Sequence, residues 1–288
     1  MELSVIIPAY NESGGIRPTL EALVADLADS DLVHEIIVVD DGSTDGTSEI
    51  VDEVVASLPS IRLLRHPRNR GYGAALKTGI HAAKADVVAI TDADGTYPNE
   101  RLPELYRRLR EGSFDMVIGS RTGENVHIPL VRRPAKAALN LLANYLSGHK
   151  IPDLNSGLRV MRKQPIVDRF NLVSDGFSFT TTTLLALLAR GNPVEFVPID
   201  YHARTGSSKI KPIRDTFNFI VLILRVSMYF EPIKVFLPVT VALGALGVVV
   251  GGIQLYQGDL GDVPATILLA ALQVGLVGLM ADMISRRN

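Results

Sequence analysis

Two aspartates set two residues apart, Asp92-Ala93-Asp94, follow the apolar run Val87–Thr91 and precede Gly95-Thr96-Tyr97-Pro98. The β-branched run reads as a buried strand, and the Gly-Thr-Tyr-Pro segment stops it. On an extended chain the side chains at i and i+2 share a side, so the two carboxylates are expected to point together. Carboxylates aimed at one point repel unless a cation lies between them. A hard divalent ion that keeps open positions for phosphate oxygens is the natural occupant. Taken alone, an Asp-x-Asp is as readily an acidic turn capping the next helix. Its neighbours decide.

The elements that must position this pair alternate over residues 1 to about 120. Strands are expected at Leu3–Ile7, Glu35–Asp40, Ile61–Arg65, Val87–Thr91 and Phe114–Ile118. Helices are expected at Gly15–Ala28, Asp45–Leu58 (with Asp45 as cap), Gly71–Lys84 and Glu100–Arg110. A β-α-β-α rhythm argues for an α/β fold with a mostly parallel, doubly wound sheet. Ligands of such sheets bind beyond the carboxyl ends of the strands. There the sequence places Pro8-Ala-Tyr10-Asn11-Glu12, Asp40-Asp41-Gly42-Ser43-Thr44-Asp45-Gly46, the Asp92/Asp94 pair and Gly119-Ser120-Arg121. Each has a bland reading as a turn or helix cap, but four polar endings on one sheet edge point to a nucleotide-type site.

Val39–Thr47 together with Asp92-Ala93-Asp94 resembles the family 2 inverting glycosyltransferases of GT-A fold, and the likeness runs over the first two thirds of the chain. The resemblance implies that Pro8, Tyr10, Glu12 and Asp40 hold a nucleotide-diphosphate sugar, with Asp92, Ala93 and Asp94 beside it. It also implies that Asp92 and Asp94 bind Mg²⁺ or Mn²⁺ on the donor diphosphate. Gly71-Tyr-Gly73 and Lys77 are candidates to approach the donor, with helix entry the equal alternative for the glycines. The related polyprenyl-phosphate mannosyltransferases often carry a Gln that helps to bind the metal. Gly95-Thr96 stands in its place here. Thr96, as third ligand, is shorter and reaches the ion through a water.

Residues 121 to 211 read as the acceptor half. Arg121, Arg132, Arg204, Ser207 and Lys209 are the candidates for an acceptor phosphate, because His202–Lys211 joins cations, small hydroxyls and a glycine. That loop is similar to the Arg-x-x-Gly-x-Ser-Lys segment of the polyprenyl-phosphate glycosyltransferases, dolichol-phosphate mannose synthases among them. Asp175–Thr180, before an apolar helix at Thr182–Leu188, is similar to their acceptor region. Asp153 aligns with the family's base, and Asp94, Asp153 and Arg121 are the candidate catalytic set.

The last third points to a membrane. Pro212–Phe230 is apolar on most faces but broken by Arg214, Asp215 and Arg225, which suits a helix lying along a bilayer surface. Val235–Tyr256 carries no charge and as a helix is about 33 Å long, against a hydrocarbon core of about 30 Å. After a turn, Val263–Ile284 crosses again. The expected organisation is a catalytic domain (1–211), a juxtamembrane helix (212–234) and a membrane domain (235–288). Lys and Arg flank both spans while the connecting loop has only Asp, so the catalytic domain and both termini are expected in the cytoplasm. Gly247-Val-Val-Val-Gly251 permits close helix approach, either between the two spans or with a second copy as a homo-oligomer.

Composition excludes several classes. There is no Cys among the 288 residues, so disulfides, thiolate metal sites and cysteine nucleophiles are out. A net charge of −2 with no long like-charge run gives no sign of a nucleic-acid partner. Leu3–Pro8 starts as a strand with no basic region before it, so no signal peptide is expected. The absence of Trp excludes the Gln-x-x-Arg-Trp signature of processive polysaccharide synthases. The expected activity is transfer of one sugar from a GDP- or UDP-sugar to a dolichyl or undecaprenyl monophosphate, with inversion. The alternatives are another lipid acceptor, or an inactive membrane anchor of a glycan-assembly complex.

Overall fold

The computed structural model describes residues 1–123, 133–202, 220–221, 223–225, 227–229, 231–258 and 261–287, the side chains of 133–139 and 286–287 aside. Apolar runs that are buried on both faces form the strands β1 (Leu3–Ala9), β2 (His34–Asp40), β4 (Val87–Ile90) and β5 (Met116–Ser120), while β3 (Ile61–Arg65) is a half-buried edge strand. All five lie within two or three residues of the sequence expectation. Two further strands, β6 (Arg159–Arg162) and β7 (Val194–Pro198), complete a seven-stranded sheet in the order β3-β2-β1-β4-β6-β5-β7. These two were not expected. β6 is four residues with an arginine at each end, and β7 is five residues that include one glutamate and end on a proline. Strand β6 runs antiparallel to both β4 and β5, while the remaining pairs are parallel.

Helices cover both faces. α1 (Ile16–Ala28), α2 (Thr47–Ser57) and α4 (Leu102–Glu111) pack on Val5, Ile7, Ile36 and Val38. α4 turns Leu102, Leu105 and Leu109 inward at the i, i+3, i+7 spacing of an amphipathic helix. α3 (Tyr72–Ala82), α5 (Arg133–Ser147), α6 (Lys163–Val167) and α7 (Phe179–Leu188) belong to the other layer, over Ile6, Ile37, Val39 and Ile90. The chain steps from β1 out to β3, then returns across β1 to lay down β4. The switch point therefore falls between β1 and β4, where an open α/β sheet leaves a crevice.

The C-terminal hairpin pairs α8 (Pro232–Gln257) with α9 (Val263–Arg287), each longer than the span expected from sequence. A core helix of a soluble protein would be mostly buried, yet the apolar windows of these two helices are only 6% and 11% buried. Both are long and apolar enough to cross a membrane. A Cβ on Gly247 would come 2.8 Å from the Leu268 side chain, and one on Gly251 would come 3.4 Å from Pro264. The glycine stripe thus serves the partner helix of the same chain. Both hairpin ends are tied to the same side. Lys234 Nζ donates to the Leu146 carbonyl at the end of α5 (3.3 Å), and Ser285 Oγ donates to the Tyr229 carbonyl (2.6 Å). The described residues between 220 and 229 are helical; residues 203–219 lie outside the described residues.

Candidate active site

The loops after β1 and β2 lock together by backbone donors. Asn11, in the left-handed region at φ 54°, gives its N–H to Ser43 Oγ (3.0 Å) and takes the Thr44 N–H on its side-chain oxygen (2.8 Å). Glu12 N donates to Thr47 Oγ1 (2.9 Å) and Ser13 N to Asp45 Oδ2 (3.1 Å). Asp45 does not sit at the cap position, which Gly46 takes, but still accepts the Thr47 N–H in the first turn (3.1 Å). Burial raises its pKa, and the hydrogen bonds from Thr47 and Ser13 win, holding the carboxyl at about 2. Asp40 is buried, accepts the Ser43 N–H (3.0 Å) and so shapes the turn. Pro8 and Ala93 are buried, and Tyr10 is exposed at the crevice edge.

Past β4 the chain turns at Ala93-Asp94, so Asp92-Ala93-Asp94 is not the fully extended segment expected. Within it the carboxylates are fixed by different neighbours. Tyr72 donates its hydroxyl to Asp92 Oδ1 (3.0 Å), and Asp94 Oδ1 accepts both the N–H (3.2 Å) and the hydroxyl (2.7 Å) of Thr96. Thr96 is fully buried; it orients Asp94 and is not placed as a direct ligand. Desolvation, then the charge of Asp92, pushes the Tyr72 phenol well above its ordinary value, so it stays a donor.

The reversed strand β6 brings a second loop to this edge. A Cβ on Gly157 would lie 3.0 Å from Asp92 Oδ2, so only glycine lets the backbone approach that carboxylate. Gly157 N donates to the Tyr97 hydroxyl (2.7 Å), and the Tyr97 ring meets Tyr201 edge-on at 5.2 Å. On the same loop Asp153, 1% exposed, receives Arg121 Nε (2.8 Å), Nη2 (2.9 Å) and backbone N (3.0 Å). The guanidinium also lies over the Tyr201 ring at 5.3 Å. Burial works against its charge, but Tyr97, Asp153 and Tyr201 raise its pKa further above the ordinary value. Arg121 is therefore a fixed cation, and Asp153 is its buried strut. Arg159, fully buried below, donates to the carbonyls of Ser156 (2.7 Å), Thr180 (2.6 Å) and Leu154 (3.0 Å). Desolvation brings its pKa down to about 10, still charged at neutral pH.

Two expectations change. Lys77 does not face the crevice as an open cation. Its ammonium donates to the carbonyls of Phe170 (2.8 Å) and Val173 (2.6 Å) and to Asp175 Oδ1 (2.6 Å), which uses all three of its hydrogens. Gly71 and Gly73 are helix entry: a Cβ at either would collide with the backbone of the 174–175 segment. Gly73→Ala is accordingly expected to cost about 1–3 kcal/mol by overpacking, read as a lower melting temperature. Arg132, Arg204, Ser207 and Lys209 lie outside the described residues. The contacts made by Tyr72, Tyr97, Tyr201 and Gly157 are ones that the sequence reading did not assign, although all but Tyr201 lie inside segments it singled out.

No described group of three or more His, Asp or Glu side chains is arranged to hold a metal alone. The two crevice carboxylates are hard oxygen donors, and a diphosphate supplies the rest of the shell that Mg²⁺ or Mn²⁺ takes. The donor set fits such an ion bound together with its nucleotide.

Comparison with known proteins agrees with this arrangement. Residues 4–170, more than half of the chain, match the model of Glycosyl transferase family 2, and the protein belongs to that family. Residues 231–286 match the GtrB C-terminal hairpin. The chain is 30% identical over 226 residues to the low-salt glycan biosynthesis hexosyltransferase Agl6 of Haloferax volcanii, covering 77% of this chain and 53% of that one. It thus spans about half the length of that relative. It is 27% identical to the dodecaprenyl-phosphate galacturonate synthase of Rhizobium johnstonii, covering 99% of this chain and 88% of the relative. Among solved structures it is similar to glucosyl-3-phosphoglycerate synthase from Mycobacterium tuberculosis in complex with Mn²⁺, uridine diphosphate and phosphoglyceric acid. That likeness has a TM-score of 0.59 at 21% identity and covers 78% of each chain. The fold is of GT-A type.

Proposed function

We propose that the protein transfers a single sugar from a nucleotide-diphosphate sugar to a polyprenyl monophosphate, with inversion, at the cytoplasmic face of a membrane. The observation that carries this reading is the union, in one chain, of a family 2 crevice bearing Asp92 and Asp94 with an apolar hairpin whose first helix is hydrogen-bonded at its start to α5. The relative that matches over nearly the whole chain, hairpin included, is named for a dodecaprenyl-phosphate product. Residues 1–211 act as the catalytic domain, 212–234 as the juxtamembrane segment and 235–288 as the membrane domain. Exposed Leu141 and Tyr145, one turn apart on α5, give the catalytic domain an apolar face beside the hairpin. The basic residues flanking both spans support a cytoplasmic orientation.

In this reading Pro8, Tyr10, Glu12 and Asp40 line the nucleotide half, and Asp92 and Asp94 hold Mg²⁺ or Mn²⁺. When bound, the ion neutralises charge that develops on the leaving diphosphate. A phosphate monoester has a second pKa of about 6, so the acceptor oxygen is already an anion at neutral pH. No strong general base is then needed. That matches a buried Asp153 whose carboxylate is committed to Arg121. Arg121, Arg132, Arg204, Ser207 and Lys209 are the residues assigned in this reading to the acceptor phosphate. The test is to incubate purified protein with a panel of radiolabelled UDP- and GDP-sugars and a polyprenyl phosphate. A lipid-extractable labelled product that forms with Mn²⁺ and is lost on chelation supports the reading. No lipid product with any donor overturns it.

A further inference from the structure

Asp92 lies two residues beyond the last residue of β4 and just before a turn, so it is outside the strand's ladder. Contacts that bear on the direction of its carboxylate come from elsewhere in the chain. On one side is the Tyr72 hydroxyl, 3.0 Å from Oδ1; on the other is the backbone at Gly157, close enough that a Cβ there would touch both carboxylate oxygens at 3.0 and 3.2 Å.

Tyr72 is anchored more firmly than a surface helix start requires. The preceding N–H groups of Arg70 and Gly71 donate to the two oxygens of Asp41 (2.9 and 2.8 Å). Asp41 is backed by His66 Nδ1 (2.6 Å), whose other nitrogen meets Thr78 Oγ1 (2.9 Å). The following Ala74 N donates to the Asp175 carbonyl (3.0 Å). The Tyr72 ring stacks on Phe177, with centroids 5.9 Å apart and planes 15° apart, although Phe177 itself is 76% exposed. An exposed aromatic kept flat against a tyrosine, on a loop strapped by Lys77, has little to gain by burial alone.

We propose that Tyr72 is a positioning residue for the divalent cation: it fixes Asp92 in its ligating direction, and the stack with Phe177 holds Tyr72 for that task. This rests on the assignment of Asp92 as a metal ligand. Groups that orient a ligand from behind change metal affinity on the order of tenfold or more when removed.

The test uses the full chain in detergent. Mn²⁺ uptake is followed by the electron paramagnetic resonance of free Mn²⁺, alone and with UDP or GDP. Tyr72→Phe keeps the ring and its stack and removes only the hydroxyl. It is expected to weaken Mn²⁺ binding about tenfold at an unchanged melting temperature, and to raise the Mn²⁺ requirement of transfer with kcat largely retained at saturating metal. Phe177→Ala, which leaves the hydroxyl in place, is expected to weaken Mn²⁺ binding about threefold. It also supplies the answer should the first variant melt early. Wild-type affinity in both variants overturns the positioning role and leaves the metal site standing. A wild-type chain that takes up no Mn²⁺ with either nucleotide overturns the metal site itself, and the proposal with it.

Discussion

Asp94→Asn is expected to lower sugar transfer by at least about a hundredfold at saturating donor, since a misplaced or missing charge-stabilising group typically costs that much. The substitution removes one negative charge from the crevice and exchanges a carboxylate oxygen for an amide nitrogen. In the native chain Asp94 Oδ1 takes two hydrogen bonds from Thr96, one from backbone and one from hydroxyl. An asparagine can satisfy these only by turning its oxygen toward Thr96, which leaves its NH₂ facing the ion. Initial rates across a Mn²⁺ series check this. Folding should be intact, because the Thr96 contacts survive. A variant that keeps wild-type turnover and wild-type metal dependence would show that Asp94 holds a turn and nothing more.

Asp153→Ala is expected to be the most destabilising single change in the sheet edge. Breaking a buried ion pair by removing one partner costs about 3 kcal/mol or more, since the other charge is left without compensation. For a domain of this size that is about 6–12 °C of melting temperature, at about 2–4 °C per kcal/mol. Three separate Arg121 donors and the Asn155 N–H lose their acceptor together. Asp153→Asn keeps the shape and one acceptor oxygen, and should fall roughly half as far. Thermal denaturation of the two variants side by side makes the comparison. A melting temperature for Asp153→Ala within a degree or so of wild type would remove the strut role assigned to this carboxylate.

The nucleotide half of the crevice was legible because its strands are buried on both faces. A run of Val and Ile with no polar interruption can hardly be anything but a central strand, and the first polar residues after it must emerge at the sheet edge. That logic found Tyr10, Glu12, Asp40, Asp92 and Asp94. It failed where partners are distant. Lys77, beside a Gly-x-Gly, has the look of a phosphate-binding cation, yet its acceptors are carbonyls at Phe170 and Val173 that no local pattern announces. Strand β6 was missed because arginines end it on both sides, and Arg159 is buried only because three carbonyls from neighbouring segments receive it. The hairpin was plain from composition, whereas the approach of Gly247 to Leu268 and of Gly251 to Pro264 needed the structure.

The opposed direction of β6 reaches further than sheet pairing. Since β5 leaves the sheet and β6 enters it at the same rim, with Ile118 opposite Arg159, the intervening excursion starts and finishes at one doorway. Such an excursion behaves as a cassette: its length and content can be exchanged while the register of every other strand is untouched. Variation there that keeps Asp153 and Gly157 is free to reshape the proposed acceptor half while the strands that lead to Asp40 and Asp92 stay in place.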